Sequence, residues 1–279
     1  MINAVIEKIC ILQPKYSSRN TPDMQERGRL VRSELASAVR AEIPRLQAAF
    51  DSVFNDLYVD ASDGIGRKTE APWVRLYSRA MSPSPREGFY LVLHFAADGS
   101  GCFVTVGCGS TIWRGGDLRP LPDKDLSDRT SWARLVVIDS FGELAPFSDQ
   151  MSLGAKAGLP KTFEKATAFA KRIPFEAVSS VDVIALLYLA AQRLNAVYRA
   201  QLDGRDMSPG EIGIQDVTAM LRPLGRRHGQ GFQLSAGERR AVEIQAMSKA
   251  IEYLTALGFK CKDTSSTESF DILATTHFE

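Results

Sequence analysis

A glycine-containing turn followed by two basic residues is the first feature of this chain that could do chemistry. The turn is Gly64–Ile65–Gly66; it lacks the G-x-x-x-x-G-K-[ST] pattern of a phosphate loop and the third glycine of a dinucleotide-binding fingerprint. Basic side chains on such a loop can still contact the phosphates of a nucleic acid. The basic residues in and near the turn are Arg67, Lys68, Arg75 and Arg86.

Aromatic side chains close to this turn suggest a second chemistry, the stacking of bases. A strand that starts at Gly88 would place Tyr90 and His94 on one face, because side chains alternate along a strand. Together with Trp73, Tyr90 offers an aromatic platform beside basic loops, which base stacking requires; ordinary core packing is the alternative. The other face is uniformly apolar, which predicts a core face, and consists of Phe89, Leu91, Leu93 and Phe95.

The sequence offers little for metal binding or nucleophilic catalysis. His94 has no cysteine or carboxylate nearby at metal-ligand spacing, so we expect it to line a pocket or lie at the surface. No G-x-S-x-G motif is present. The cysteines show no C-x-x-C spacing, which argues against a zinc site or a disulfide scaffold and predicts reduced, buried thiols. They are Cys10, Cys102, Cys108 and Cys261.

Composition and net charge limit the classes of protein to which this chain can belong. The chain has 279 residues, 44% hydrophobic and 24% charged, which is typical of a globular protein with one full domain and something smaller. Its net charge of +1 gives no global attraction to nucleic acid, so a polyanion site must be a local patch. No apolar run reaches the roughly 18 residues of a membrane span, and no signal peptide opens the chain. We expect a cytoplasmic protein with no membrane partner.

The elements that would position these residues indicate an α+β fold, with a mixed or antiparallel sheet flanked by helices. A helical pattern, interrupted at Pro44, covers Met24–Phe54, and Thr21–Pro22 fits its N-cap and first turn. Asp98–Gly99 is a hairpin signal. Strands are predicted at Trp73–Tyr77, Gly88–Phe95, Cys102–Val106 and Arg134–Asp139, and further helices at Thr162–Arg172 and Ser179–Leu202.

The chain divides into three parts on this interpretation. Residues 1–205 form the main domain, and 206–234 form a linker rich in glycine, proline and basic residues. Residues 235–279 form a small helix–strand fragment. Ser235 and Glu238 fit a capping box at the start of its helix, and Phe259–Lys262 is strand-like.

Residues from about 25 to 200 resemble the modified-DNA-binding N-terminal domain of the McrB subunit of methyl-directed type IV restriction systems. The markers that carry the resemblance are Gly64–Gly66, Pro72–Trp73, Ser82–Pro85, Gly88–Tyr90, Asp98–Ser100 and Gly109–Thr111.

The resemblance implies an α+β domain that takes a methylated cytosine out of the duplex into an aromatic pocket. By matched position Trp73, Tyr90 and His94 would line the pocket, and Ile65 would probe the duplex from the loop tip. Ile65 stands where the family can have an aromatic residue, although apolar wedges also unstack bases. His94 replaces an apolar wall, which would change which modified base is accepted.

Residues Glu238–Glu279 resemble the beginning of a restriction-endonuclease-like domain related to NO VEIN, of the PD-(D/E)xK type. The resemblance assigns Asp271 and Glu243, or Glu238, as metal-binding carboxylates. The E-x-K strand that would complete the site is absent before Glu279, and two carboxylates are too few for metal-assisted hydrolysis. We therefore expect a truncated, split or decayed nuclease, with Mg²⁺ needed only if a complete site is assembled.

We interpret the chain as a reader of double-stranded DNA carrying methylated or hydroxymethylated cytosine, the specificity part of a type IV-like restriction or anti-phage system. DNA binding would need no cofactor, and we favour the interpretation that this chain alone is not an enzyme. A separate nuclease or motor subunit would then be its partner. The alternatives are a modification-dependent endonuclease whose catalytic half is truncated or on a partner, and an adaptor that has lost DNA binding.

Overall fold

The computed structural model describes residues 2–64, 67–114, 117–205, 251, 254–255, 259–263 and 272–275. The chain forms two compact units, 1–225 and 226–279. The predicted linker 206–234 and the carboxylates Asp271, Glu243 and Glu238 lie outside the described residues, so the boundaries of the three predicted parts stay predictions.

The first unit combines helices with a main sheet. The helices are α1 (Ile2–Leu12), α2 (Pro22–Arg29), α3 (Ala36–Ala41), α4 (Ile43–Leu46), α5 (Asp123–Phe141), α6 (Gly158–Lys165) and α7 (Val183–Leu202). The strands are β1 (Leu57–Ser62), β2 (Trp73–Ser78), β3 (Phe89–Phe95), β4 (Gly101–Cys108), β5 (Thr111–Arg114), β6 (Asp117–Pro120) and β7 (Thr167–Pro174). A π-helical segment, Leu30–Leu35, joins α2 to α3.

Five strands form an antiparallel sheet in the order β1-β2-β3-β4-β7, which confirms the predicted α+β class. The apolar face of β3 is the core face, as predicted: Leu91, Leu93 and Phe95 are each at most 1% exposed. Helices α1, α5 and α7 contact this sheet. Burial of these large apolar side chains is the main contribution to the stability of the unit.

The helix boundaries follow local signals in the sequence. The side chain of Thr21 accepts a hydrogen bond from Met24 N with Pro22 in the first turn, so the predicted cap is confirmed. Asp182 caps α7 in the same way, by accepting from Ala185 N. Pro44 lies in the first turn of α4, where a proline is tolerated and the preceding helix has already ended.

A long connection and α6 cover part of the second face of the sheet. Ala97 N donates to Leu153 O at 2.7 Å, and Phe163 of α6 packs on the smaller apolar cluster there. The cluster consists of Ala71, Ala96, Phe103, Leu153, Ala155 and Ala170. The second face is therefore covered over β4 and the neighbouring parts of β3 and β7.

Two predicted elements are wrong. Arg134–Asp139 is not a strand but part of α5, a 19-residue helix that ends at Gly142 with φ +80°. The predicted helix Thr162–Arg172 holds only for its beginning, because α6 ends at Lys165 and β7 starts at Thr167.

Arginine side chains from two helices reach the outer strands of the sheet. Arg40 of α3 donates to Val59 O of β1 at 3.2 Å. Arg134 of α5 donates to Ala168 O of β7 at 2.6 Å and to Thr167 O at 3.2 Å. Further along β7, Ser148 and Ala170 exchange two backbone hydrogen bonds of 2.8 Å. Backbone groups on both edges are therefore paired within the chain.

In the second unit the described residues form an antiparallel pair, β8 (Lys260–Asp263) and β9 (Ile272–Thr275). This agrees with the predicted strand at Phe259–Lys262. Within the described residues no helix is long and apolar enough to cross a membrane.

The described cysteine side chains, Cys10, Cys102 and Cys108, are free and buried, as predicted. Burial raises the pKa of Cys10 to about 12 and that of Cys108 to about 11, so these thiols stay protonated at neutral pH.

Candidate nucleic-acid interface

The basic turn sits on a loop, Asp63–Thr69, that is anchored at its base. Thr69 N donates to Asp63 O at 2.9 Å, which closes the loop. The Asp63 carboxylate is fully buried, and it pairs with Lys68 Nζ at 2.5 Å and with Arg32 of the π-helical segment. Gly64 has φ +112°, a conformation that L side chains rarely adopt. The loop is thus fixed at both ends.

The residues of this loop differ in how exposed they are. Arg67 is exposed. Lys68 is mostly covered, and burial, followed by the charges of Arg32 and Arg27, lowers its pKa. Ile65 and Gly66 lie outside the described residues.

Trp73 and His94 are direct neighbours on the second face of the sheet. They are Cα partners across β2 and β3, and Trp73 is half-buried. His94 is only 6% exposed and stacks on Phe163 with ring centroids 5.6 Å apart. Its Nδ1 has no hydrogen-bond partner among the described residues. Burial lowers the pKa of His94 to about 3, so the imidazole is neutral.

Tyr90 lies on the same face as His94, as the alternation along the strand predicted, but at some distance. Four residues along β3 separate the two, which corresponds to about 13 Å. The Tyr90 hydroxyl lies 2.7 Å from Pro85 O and 3.2 Å from Cys108 O. Tyr90 therefore supports the loop 79–88, and the three predicted pocket residues do not enclose one compact space in this conformation.

Arg75 is inside the protein. It is 1% exposed and makes a bidentate ion pair with Asp60, with Nε–Oδ1 and Nη2–Oδ2 distances of 2.8 and 3.0 Å. Its guanidinium lies over the ring of Tyr77, 3.7 Å from the centroid, and 5.3 Å from that of Tyr90. In this conformation Arg75 organises the sheet face, and it does not present its charge to a phosphate.

The loop 79–88, which carries Arg86, is held by the same network. Arg75 Nη1 donates to Ser82 Oγ at 3.2 Å, and Ser82 Oγ donates to Glu87 O at 2.6 Å. Arg86 is half-buried on this loop. A side chain at Gly109 would place its Cβ 2.0 Å from Arg86 O, so only glycine permits this close backbone approach.

Metal binding finds no support in the described part of the chain, where no group of three or more His, Cys, Asp or Glu residues is placed to hold an ion. The predicted metal ligands Asp271 and Glu243, and the alternative Glu238, lie outside it.

Comparison with known protein families decides the class of this domain. The family model described as MrcB-like, N-terminal domain, matches residues 12–185, more than half of the chain. The chain belongs to this family. No curated protein and no solved structure matches it.

Family membership confirms the N-terminal resemblance and indicates a DNA-binding role in a restriction-type system. The matched residues include the anchored loop, the sheet and most of the core. The match does not extend to residues 238–279, so the nuclease-like resemblance of that segment has no support from it.

Sequence reasoning missed the residues that hold the loop in place. Asp63 and Arg27 are both 0% exposed, and each bonds to the loop. The sequence shows only that both positions are charged, and a charged residue in a sequence can be either buried or exposed to solvent.

Proposed function

We propose that this chain binds double-stranded DNA and recognises a methylated or hydroxymethylated cytosine that has been rotated out of the helix. It would be the specificity part of a type IV-like restriction or anti-phage system. The observation that carries the proposal is the placement of half-buried Trp73 at the start of β2, directly after the anchored basic loop, within a domain of the MrcB-like family.

The loop would approach the duplex and the sheet would receive the base. Arg67 would contact a phosphate, while Gly64 and Gly66 would allow the backbone to come close and Ile65 would act as an apolar wedge. Unstacking the base costs a few kcal/mol, and stacking on an aromatic ring returns about 1–3 kcal/mol. Trp73 is the ring that we assign to this stacking.

His94 would contribute a neutral imidazole whose Nδ1 has no hydrogen-bond partner among the described residues, beside Trp73 on the same face of the sheet. An imidazole nitrogen that lacks a partner can bond to the polar edge of a base, or to the hydroxyl of hydroxymethylcytosine. Because Phe163 covers His94, this contact requires the Phe163 ring to move aside.

Tyr90 and Arg75 would act by positioning the loop 79–88, which carries Arg86, so that Arg86 adds positive charge near the phosphates. Lys68 would act on the basic loop, where its ion pair with Asp63 holds the loop in place. Binding itself would need no cofactor. Cleavage would come from a separate nuclease or motor subunit, and Mg²⁺ would be needed only where a complete nuclease site is assembled.

The decisive experiment is a binding titration with duplexes that differ only in one cytosine: unmodified, 5-methyl or 5-hydroxymethyl. We expect tighter binding to one of the modified duplexes. Trp73→Ala should weaken binding to the preferred duplex by about 5- to 150-fold, the equivalent of about 1–3 kcal/mol of stacking, and so reduce the preference.

Phe175→Ala is the matched control, because Phe175 is an aromatic residue 38% exposed in the short helical turn after β7. It should leave the preference unchanged. Equal, weak binding of wild-type protein to all three duplexes, abolished by salt, would refute the proposal. A Trp73→Ala protein with the wild-type preference would refute the assignment of Trp73.

A further inference from the structure

A second loop lies directly against the anchored basic loop. This loop, Tyr16–Asn20, connects α1 and its following helical turn to α2. Lys68 N donates to Ser18 O at 3.2 Å, and the Tyr16 hydroxyl donates to Lys68 O at 3.1 Å. The loop Tyr16–Asn20 therefore lies against the described part of the loop Asp63–Thr69. We call these residues, without 65 and 66, the paired-loop surface.

Arg27 joins the two loops from beneath this surface. It is 0% exposed and donates to Thr69 O and to Gln13 Oε1, each at 2.7 Å. Gln13 in turn donates to Glu70 O at 3.0 Å and to Ala96 O at 2.9 Å. The Arg27 guanidinium also lies 5.7 Å from the centroid of the Tyr16 ring, so this one group contacts both loops.

The charge of Arg27 has no acidic partner. No carboxylate within the described residues forms an ion pair with it, and its Nε makes no hydrogen bond there. Burial lowers the pKa of Arg27 to about 10, so the side chain remains protonated at neutral pH. A buried, uncompensated cation raises the electrostatic potential at the surface above it.

The exposed charges of the paired-loop surface have the same sign. Arg19 and Arg67 are exposed and pair with no carboxylate in the described ranges. The neighbouring carboxylates are engaged elsewhere. Asp63 is buried against Lys68, and Asp23 pairs with Lys15 at 3.1 Å. Glu70 accepts from the backbone N–H groups of residues 156 and 157 at 2.8 Å. The surface is therefore a local basic patch on a chain of nearly neutral net charge.

We propose that Tyr16–Asn20 is a second DNA-contacting loop, in which Arg19 binds a backbone phosphate beside the one bound by Arg67, and that Arg27 is the positioning residue that holds both loops together. Ser17, Ser18 and Asn20 supply small polar side chains of the kind that contact phosphate oxygens. The inference rests on the DNA binding of the proposed function, and it adds a phosphate contact that is independent of which base is read.

The test is the salt dependence of DNA affinity for the full chain. The slope of log affinity against log salt falls by about 0.9 for each phosphate contact that is lost. Arg19→Gln should therefore reduce the slope by about 0.9 and weaken binding to modified and unmodified duplexes equally. Arg45→Gln is the control, because Arg45 is an exposed arginine on α4, which packs against α7; it should keep the wild-type slope.

Arg27 is tested by comparing Arg27→Gln with Arg27→Lys at a temperature where thermal melts show both to be folded. Loss of both loop contacts should reduce the slope by about 1.8 in Arg27→Gln, and Arg27→Lys should recover part of it. A folded Arg27→Gln protein with the wild-type slope would show that Arg27 is structural only.

The outcomes separate this inference from the proposed function. If Arg19→Gln keeps the wild-type slope, or alters only the preference between bases, the second loop is not a phosphate contact and the base-reading proposal is unaffected. If wild-type protein binds DNA without any base preference but Arg19→Gln lowers the slope, base reading fails and this inference stands. If the chain binds no DNA, both fail.

Discussion

Arg75 makes its contacts inside the protein, and this determines how it can be studied. The bidentate ion pair with Asp60 is buried on the Arg75 side only, because the Asp60 side chain is 35% exposed and water can hydrate it. Removal of Arg75 should therefore cost less than the about 3–5 kcal/mol of a fully buried pair. A variant at Arg75 would disturb the contacts with Asp60, Ser82 and Tyr77, so a loss of DNA binding would not report on a phosphate contact. Exposed residues such as Arg67 and Arg19 are the ones whose substitution reports on phosphate contacts.

His94 should make the stability of the domain depend on pH. Burial lowers its folded pKa to about 3, whereas the unfolded value is 6.5, so in this interval the unfolded chain binds the proton more readily. Stability is therefore lost as the pH falls below 6.5, by up to about 1.4 kcal/mol per pH unit. Between pH 7 and pH 5, urea unfolding should show wild-type protein losing about 2 kcal/mol more than His94→Phe.

All other titrating groups are common to these two proteins, so the difference between them isolates His94. His94→Phe keeps a ring that can stack on Phe163. Parallel stability curves for the two proteins would mean that His94 is accessible to protons in the folded state, and hence that the cover provided by Phe163 is loose.

For a single residue, the sequence predicts the face of the strand on which the side chain lies more reliably than it predicts how exposed that side chain is. Tyr90 and His94 share a face because alternation along a strand is a property of the backbone. The burial of His94 depends on Phe163, which comes about 70 residues later in the chain and packs back over the sheet. Local patterns contain no information about such cover.

At the scale of elements, the packing of α2 against the basic loop leads to a prediction at Gly28. An alanine in an ordinary helix is about 1 kcal/mol better than glycine. A Cβ at Gly28, however, would lie 2.4 Å from Asp63 Oδ2 and 2.8 Å from Arg32 Nη1. Gly28→Ala should therefore lower the free energy of unfolding by about 1–3 kcal/mol and weaken DNA binding, because it displaces the carboxylate that anchors the loop.

Gly158→Ala provides the comparison, since Gly158 begins α6 and a Cβ there would meet no atom within 4 Å. Chemical denaturation of the two variants should show a loss for Gly28→Ala and no loss for Gly158→Ala. If Gly28→Ala is as stable as wild type, the loop anchor can shift without cost.

The two wrong predictions of secondary structure have physical causes. Arg134–Asp139 contains a β-branched, apolar run that suggests a strand, but it belongs to a longer helical period whose buried positions include Leu126, Thr130, Ala133 and Val137. In β7, Ala168 and Ala170 favour a helix by intrinsic propensity, whereas pairing with β4 and burial on both faces decide for a strand.

For the whole molecule, the α+β class, the helices α2, α3, α4 and α7 and the central hairpin could be predicted from periodicity and turn residues. The α+β class and the core face of β3 were predicted correctly, since they depend on patterns within 10–20 residues. The anchoring of the basic loop could not be, because Asp63, Arg27 and Gln13 meet only after distant segments have packed.

The arginines that reach the outer strands also decide how the molecule behaves in concentrated solution. An open sheet has two edges whose free backbone groups can pair with those of another copy and begin aggregation. Arg40 and Arg134 donate hydrogen bonds to backbone carbonyl groups on these edges.

The double variant Arg40→Ala, Arg134→Ala should therefore self-associate, and sedimentation velocity should show association that rises with protein concentration. The control Arg45→Ala should sediment as wild type. If the double variant and the control sediment identically, the remaining contacts of the edge strands are enough to prevent association. Two helix side chains would thus protect this domain from self-association, a role unrelated to reading DNA.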